Sequence, residues 1–367
     1  METCKSILIT NLVLDRGTGT EMYTYDLVLA LERKNYRPVI YCPRPGKLAL
    51  RMRQEGICVV QDIQHLNSSP DVIQGHHTVE TLAAAARFPQ SPVVFVCHDC
   101  SQWHDTPPRL PNILRYVAVD QACYDRLVFQ HGVPAQLVEL IPNGVDLERF
   151  PLRKQVAPQP RSVLLFGNSF KKRHLRIVQS TFPGLQASCI GLFSRRWVSQ
   201  PAQLLPQFDV VIARGRSARE ALATGASVIV GDPTGIGGLV TPENYEWYAA
   251  NNFGRRLLRQ PFSPTVLAEA LSGYSTDQIN VVTRLHRVRN GLESSVDLLC
   301  QVYDQVMQQQ FRIESRDWHL SVSEWLQWCS LTANIPAENS GLSFSRNPVQ
   351  YLTQRMRKGW VRRHRAA

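Results

Sequence analysis

The sequence predicts an α/β protein made of two doubly wound parallel-sheet domains that face a cleft. Short apolar runs alternate with amphipathic segments twice along the chain, and the Pro-rich polar segment Leu152–Arg161 separates the two series. A chain of 367 residues also suffices for two domains at the usual ~150 residues each. We therefore predict a first domain over residues 1–155 and a second over 156–310. Residues 311–367 are expected to form a helical extension with a basic tail that returns to the first domain.

The first series opens with the apolar run Ser6–Leu14, which predicts a strand. Glycines then lead into a helix whose apolar positions, Tyr23, Leu27, Ala30 and Leu31, recur at helical spacing. Five more strands are predicted at RPVIYCP, GICVV, PDVIQGHH, SPVVFVCHD and YVAVD. The run SPVVFVCHD is almost continuously apolar, as expected of a central parallel strand that is buried on both faces.

The second series follows the Pro-rich segment. Its predicted strands are RSVLLFGN, QASCIGLF, FDVVIARG and GASVIVGD, with helices between them such as SAREALATG. In folds of this kind ligands bind at the carboxyl ends of the strands. Candidate site residues are therefore sought there.

Composition and charge narrow the classes of partner. The formal net charge is +11, which favours anionic partners such as nucleotides, sugar phosphates or membrane surfaces. Nine irregularly spaced cysteines are typical of a reduced, cytoplasmic protein. The opening residues resemble a first core strand rather than a signal peptide, and no apolar run approaches the ~20 residues of a membrane span.

The end of the chain is basic and aromatic. From Asn339 onward there are seven Lys or Arg and no Asp or Glu, with Trp360 among them. We expect this tail to bind an anionic membrane surface peripherally. Nucleic acid is disfavoured because no motif for it accompanies the bases. The basic residues nearest Trp360 are Arg355, Arg357, Lys358, Arg362, Arg363 and Arg365.

The segment GTGTE joins the first strand to the first helix. Glycines let a backbone approach a ligand closely, and a helix N-terminus favours an anion, so Gly17, Gly19 and Thr20 are donor-binding candidates. A simple turn is the alternative. A dinucleotide fingerprint is disfavoured because Met22 occupies the position of its third glycine.

The segment IPNGVDLERF, just before the Pro-rich segment, is the most specific string in the chain. Together with GTGTE it resembles the GT-B glycosyltransferases of the family 4 type, over about Ser6 to Leu271. The resemblance implies two Rossmann-like domains, a nucleotide-sugar donor on the second domain and retention of anomeric configuration. It also implies a donor-side role for Asn143.

Three segments of the second half correspond to donor-binding elements of that family. In FGNSFKKRH, the resemblance and the offer of cations and backbone N–H groups to a diphosphate indicate Gly167, Asn168, Lys171 and Lys172. A solvated basic face is the alternative. The segment DPTGIGGLV is interpreted as a Gly-rich loop, in which Gly237 and Gly238 either approach the donor or merely lie at the surface.

The third donor segment is ARGRSAREALATG. The family carries two glutamates there, eight residues apart. Glu220 matches the second, which is implied to bind the donor ribose, but Ile212 replaces the first. The intervening loop supplies arginines that suit phosphate groups. Its candidates are Arg214, Gly215, Arg216 and Ser217.

The segment CHDCSQWHD follows the central strand of the first half. His98 matches a strand-end histidine of the family near the point of sugar transfer, and Asp99 lies beside it, so both are catalytic candidates. His76 and His77 end the preceding strand. Zinc binding and a redox Cys-x-x-Cys are alternatives, but a structural zinc site needs a second ligand pair. We therefore expect no metal and no cofactor.

These observations predict a nucleotide-sugar-dependent glycosyltransferase of the hexosyltransferase class, of the kind used in polysaccharide biosynthesis. Two rivals remain. One is a nucleotide-sugar epimerase, which would need no acceptor. The other is a non-catalytic nucleotide-sugar or glycan-binding protein on the same scaffold, which the missing first glutamate favours. Donor, sugar and acceptor are not identified by the sequence.

Overall fold

The computed structural model describes residues 4–194, 196, 198, 200–311 and 313–332. Within these residues, fourteen strands form two large sheets and one two-stranded pair. The strands are β1 (Lys5–Thr10), β2 (Val13–Leu14), β3 (Tyr36–Tyr41), β4 (Arg44–Pro45), β5 (Cys58–Val60), β6 (Val72–Gly75), β7 (Val93–Cys97), β8 (Ile113–Ala118), β9 (Val138–Leu140), β10 (Ser162–Phe166), β11 (Gln186–Ile190), β12 (Val210–Ala213), β13 (Ser227–Asp232) and β14 (Gly235–Leu239).

Helices connect the strands and cover the faces of both large sheets. They are α1 (Gly19–Arg33), α2 (Lys47–Gln54), α3 (Thr78–Arg87), α4 (Gln121–Asp125), α5 (Lys172–Thr181), α6 (Pro201–Leu204), α7 (Arg216–Ala223), α8 (Tyr245–Ala250), α9 (Pro264–Ser272), α10 (Thr276–Arg289), α11 (Leu292–Gln308) and α12 (Ser315–Thr332). Among the described residues, no helix combines the length and apolar character that a bilayer crossing needs.

The first sheet has the strand order β5-β3-β1-β6-β7-β8-β9, and all its pairings are parallel. Every residue of β7 is buried, as its continuous apolar run predicts. The apolar run Ser6–Leu14 does not form a single strand. β1 ends at Thr10, and the last two residues of the run form β2, which pairs separately with β4. The expected doubly wound first domain is confirmed.

The second sheet has the order β11-β10-β12-β13-β14. Its first four strands are parallel, whereas β14 runs antiparallel to β13 at the edge. The prediction of a Gly-rich loop in DPTGIGGLV is therefore wrong, because Gly235–Leu239 is an edge strand. The glycine content concealed it, since glycine is depleted in strands. Two Rossmann-like domains are confirmed.

The chain returns to the first domain earlier than the sequence predicts, at α11 rather than at residue 311. Leu299, Val302 and Tyr303 of α11 are buried in the core of the first sheet, and Trp318 of α12 packs against the same core. We call the β1–β9 sheet with its helices and α11–α12 the first domain, and β10–β14 with α5–α10 the second. The predicted basic tail lies outside the described residues.

Candidate functional site

The last residue of the GTGTE segment, Glu21, accepts hydrogen bonds from the loop that precedes it. The backbone N–H groups of Asp15, Arg16 and Gly17 all donate to one carboxylate oxygen of Glu21, at 2.6, 2.9 and 3.1 Å. The Thr18 hydroxyl donates to the other oxygen at 2.8 Å. Of these donors, Gly17 is the one that the sequence analysis offered to a ligand. An internal carboxylate therefore satisfies this part of the loop.

Gly17, Gly19 and Thr20 of that loop differ in the space and hydrogen-bonding groups that they offer to a ligand. Gly17 has φ 67°, a left-handed conformation that favours glycine. Gly19 begins α1, and a Cβ there would meet no atom within 4 Å. The carbonyl of Thr20 accepts from the hydroxyl of Thr24 at 3.0 Å. The Gly19 side of the loop has space for an incoming group.

His98 follows the last residue of β7, at the carboxyl edge of the first sheet. Its ring lies edge-on to Tyr23 and to His76, with centroid separations of 4.7 and 4.8 Å. Within the part of the chain that the structure describes, its Nε2 is buried and has no hydrogen-bond partner. Burial lowers the pKa of His98 to about 3, which the Asp99 charge only partly offsets. His98 is therefore a neutral imidazole, and its buried Nε2 has unused hydrogen-bonding capacity.

Asp99 forms hydrogen bonds within its own loop. One carboxylate oxygen accepts from the N–H and the hydroxyl of Ser101, both at 2.7 Å, and from the N–H of Gln102 at 3.0 Å. Burial opposes its charge, but these hydrogen bonds leave the pKa of Asp99 below its ordinary value. Asp99 thus shapes the loop after β7.

A cluster of His77, His104 and Asp105 lies beside this loop, with one ligand atom from each residue within 4.8 Å of the others. The backbone N–H of Leu12 donates to Nδ1 of His77 at 3.1 Å. The ring proton of neutral His77 is therefore on Nε2, the atom that a metal would need. A metal-bound histidine normally donates its other ring N–H, so this cluster does not fit a metal.

The PNGVD segment joins the two domains. The N–H of Val145 donates to the carbonyl of Asn290 at 2.8 Å, and the N–H of Leu292 donates to Val145 at 2.9 Å. A Cβ on Gly144 would lie 2.4 Å from Cα of Leu292. The backbone carbonyl of Asn143 accepts from buried Arg219. The segment therefore holds the point where the chain returns to the first domain.

The end of β10 opens on a basic cavity of about 400 Å³. Gly167 and Asn168 turn the chain, and the Asn168 side chain accepts from the N–H of Leu192 at 3.3 Å. The exposed ring of Phe193 lies 5.7 Å from Nζ of Lys171. The cavity is lined by Lys171, Lys172, Arg173, Phe193 and Ser194. Sequence analysis found the bases but missed the aromatic ring.

The loop between β12 and α7 separates its two arginines. Nε of Arg214 donates to Asp232 at 2.5 Å, at the end of β13. Gly215 has φ 58°, and a Cβ there would meet no atom within 4 Å. Ser217 is half-buried in the first turn of α7. This loop is thus open next to Gly215, while Arg214 is held to one side.

Arg216 and Glu220 are brought together in one network with two residues of the first domain side. Nε of Arg216 donates to Glu220 at 2.7 Å, and its terminal nitrogen donates to Asp26 at 2.6 Å. Arg149 binds Asp26 through two nitrogens, at 2.6 and 2.9 Å. Burial raises the pKa of Glu220, and the positive charge of Arg216 offsets part of that rise. Sequence analysis missed Asp26. Its charge lies within the apolar face of α1, which could have indicated a buried ion pair.

Gly237 and Gly238 are required by packing. A Cβ on Gly237 would lie 2.9 Å from the carbonyl oxygen of Leu257. The Tyr248 hydroxyl donates to the carbonyl of Gly237, and Gly238 has φ 105°. These contacts give both glycines a structural role, and their approach to a donor stays a prediction.

Comparisons with known proteins bear on the family. Residues 17–149 match the model of the family described as Glycosyltransferase Family 4, which is less than half of the chain. No curated protein matches. The match falls on the segments GTGTE to IPNGVDLER, where the sequence resemblance was found, and confirms that resemblance.

Solved structures share the fold at low identity. The chain is similar to HepE of Anabaena, solved with UDP and glucose, at 16% identity and TM-score 0.61, covering 82% of this chain and 99% of that one. It is similar to a glycosyltransferase from Rickettsia africae at 13% identity and TM-score 0.58, covering 83% and 99%. It is also similar to a putative UDP-N-acetylglucosamine 2-epimerase from Listeria monocytogenes, at 12% and 0.51, covering 84% and 98%. The fold is GT-B.

Proposed function

We propose that the protein is a glycosyltransferase that binds a nucleotide-sugar donor on its second domain and transfers the sugar to an acceptor on its first domain. The carrying observation is the cavity at the end of β10, which Lys171, Lys172 and Arg173 line together with the exposed ring of Phe193. Cations suit a diphosphate, and an aromatic face suits a nucleobase. HepE, which shares the fold, was solved with UDP-glucose.

The proposed transfer needs stabilisation of the departing nucleoside diphosphate. The bases of the cavity supply it electrostatically, so no metal is required. Neutral His98 offers Nε2 to the transferred sugar, and retention of configuration without an enzyme nucleophile is part of the proposal. We further propose a hexosyltransferase of polysaccharide biosynthesis that works in the cytoplasm, held at membranes by its basic tail.

A screen of nucleotide sugars tests the proposal. Thermal shifts with UDP-, GDP-, ADP- and TDP-sugars should show stabilisation by one nucleotide class, since a ligand at 100 times its Kd adds about 2.7 kcal/mol. The same shift should shrink in Lys171→Ala. No stabilisation by any nucleotide sugar would contradict the proposal.

An epimerase is the second candidate, favoured by the likeness to the Listeria protein. It converts its donor without an acceptor, whereas a transferase releases nucleoside diphosphate faster when an acceptor is added. Incubating the stabilising donor with and without acceptor sugars, and following both the donor's stereochemistry and diphosphate release, separates the two.

A further inference from the structure

Arg126 is a buried arginine that binds the loop after β7. Its guanidinium donates to the carbonyl of Asp99 at 2.5 Å, to the carbonyl of Gln102 at 2.8 Å and to the hydroxyl of Thr106 at 3.3 Å. Only 4% of Arg126 is exposed. Three contacts on one loop from a single rigid, planar fork fix its path more tightly than one contact would.

The local sequence explains how Arg126 comes to face this loop. Asp120 caps α4 by accepting the N–H of Cys123 at 2.8 Å. The helix then widens into a π-turn over Arg126–Gln130. Such a turn adds a residue and rotates the side chains that follow, and it is frequent at functional sites. Arg126, the first residue of this turn, is buried, whereas Phe129 is 76% exposed.

The second domain contacts the same region. Arg256 forms an ion pair with Asp125 at 2.6 Å, and Arg255 reaches the hydroxyl of Ser101 at 3.5 Å. Arg126 therefore lies between the loop and the place where the two domains meet. The loop also carries Asp105. Burial raises the pKa of Asp105 to about 8, although the positive charge of Arg126 acts in the opposite direction.

We propose that Arg126 is a positioning residue for sugar transfer, which holds the Asp99–Thr106 loop so that His98 presents Nε2 to the transferred sugar. This inference rests on the proposed function. Arg126 acts through His98 and touches no substrate. His98 directly precedes this loop in the chain, and its Nε2 has no hydrogen-bond partner among the described residues.

Arg126→Lys tests the proposal, because lysine keeps the charge but loses the fork. Transfer kcat should fall ~10- to 100-fold, the cost of displacing a reacting group by about 1 Å. The Kd for the nucleotide should change less than about twofold, since the nucleotide binds the second domain. Arg109→Lys is the matched control: Arg109 donates to the carbonyl of His131 in the same domain, outside the loop.

A double-mutant cycle separates positioning from stability. If Arg126 acts through His98, Arg126→Lys should lower kcat no further in a His98→Ala background. Equal losses in both backgrounds, or unchanged kcat in Arg126→Lys, would overturn the inference while leaving the proposed function intact. The His98 imidazole NMR signals give a readout independent of turnover. They should shift in Arg126→Lys but not in Arg109→Lys, and an unshifted signal counts against the inference.

Discussion

Asp26 of α1 and Arg216 of α7 form an ion pair of 2.6 Å that joins the two domains. Asp26 is 3% exposed and also binds Arg149, and Arg216 also binds Glu220. Two carboxylates and two guanidiniums therefore satisfy one another at the domain boundary. Two residues that the sequence assigned to the donor, Arg216 and Glu220, are thereby tied to the first domain.

Replacing Asp26 with Asn should destabilise the protein strongly, because Arg149 and Arg216 lose their shared anion. Breaking a buried ion pair costs about 3–5 kcal/mol. Urea denaturation measures the loss. The control is Glu246→Gln, whose pair with Arg289 is solvent-exposed and should be worth at most ~1 kcal/mol. Equal losses in the two variants would contradict the buried network.

The same pair predicts a pH dependence. Burial raises the pKa of Asp26, but the positive charges of Arg216 and Arg149 outweigh it, so the pKa lies below its ordinary value of 3.8. A carboxyl with a depressed native pKa stabilises the fold above its unfolded pKa, and this is lost as pH falls through the native value. The stability difference between the wild type and Asp26→Asn should therefore be constant near neutrality and shrink only below pH 3.8.

Glu220→Ala should weaken nucleotide-sugar binding without unfolding the protein. Loss of a charge-assisted hydrogen bond to the ribose is worth about 1.5–3 kcal/mol, or roughly 10- to 100-fold in affinity. The fold should survive because Arg216 keeps its pair with Asp26. Calorimetry with the donor identified by thermal shift measures the change. An unaltered affinity would remove Glu220 from the donor site.

His98→Ala should lower transfer by at least ~100-fold, the low end for losing a positioned catalytic group. The nucleotide Kd should change little, since a contact that strengthens in the transition state affects turnover more than binding. Steady-state kinetics and calorimetry on one preparation give both values. A folded His98→Ala protein with near-normal turnover would refute the assignment, and a parallel fall in melting temperature and binding would indicate a structural histidine.

Lys171→Ala should weaken donor binding more than Arg176→Ala. Both remove one positive charge from the region of α5, but only Lys171 lines the cavity. A charge-assisted hydrogen bond to phosphate is worth about 1.5–3 kcal/mol, whereas an exposed charge one turn away acts only through screened solvent. Titrations at low and high salt compare the two. Similar losses would mean a diffuse basic face without a specific contact.

Gly144→Ala should destabilise the protein by about 1–3 kcal/mol, the usual cost of overpacking. The new methyl group would lie 2.4 Å from Cα of Leu292, in backbone that cannot move aside cheaply. Gly184→Ala is the control, because a Cβ there meets no atom within 4 Å. Denaturant midpoints for both variants test whether the PNGVD segment clamps the return of the chain.

The sequence by itself determined that the chain forms two sheets built mainly of parallel strands. The reason is that β7 and β12 are buried on both faces and so are continuously apolar. The basic residues that follow β10 were also identified from the sequence, because the residues after a strand can be recognised from the local pattern.

Only the tertiary structure decided where α11 packs, that Gly235–Leu239 is a strand, and which partners the charged residues take. An amphipathic helix shows its apolar face but not the core that receives it. Asp26 and Arg216 are 190 residues apart in the chain, and no local pattern encodes their pairing. Packing of the two domains brings them together, because a buried carboxylate is tolerated only beside a cation.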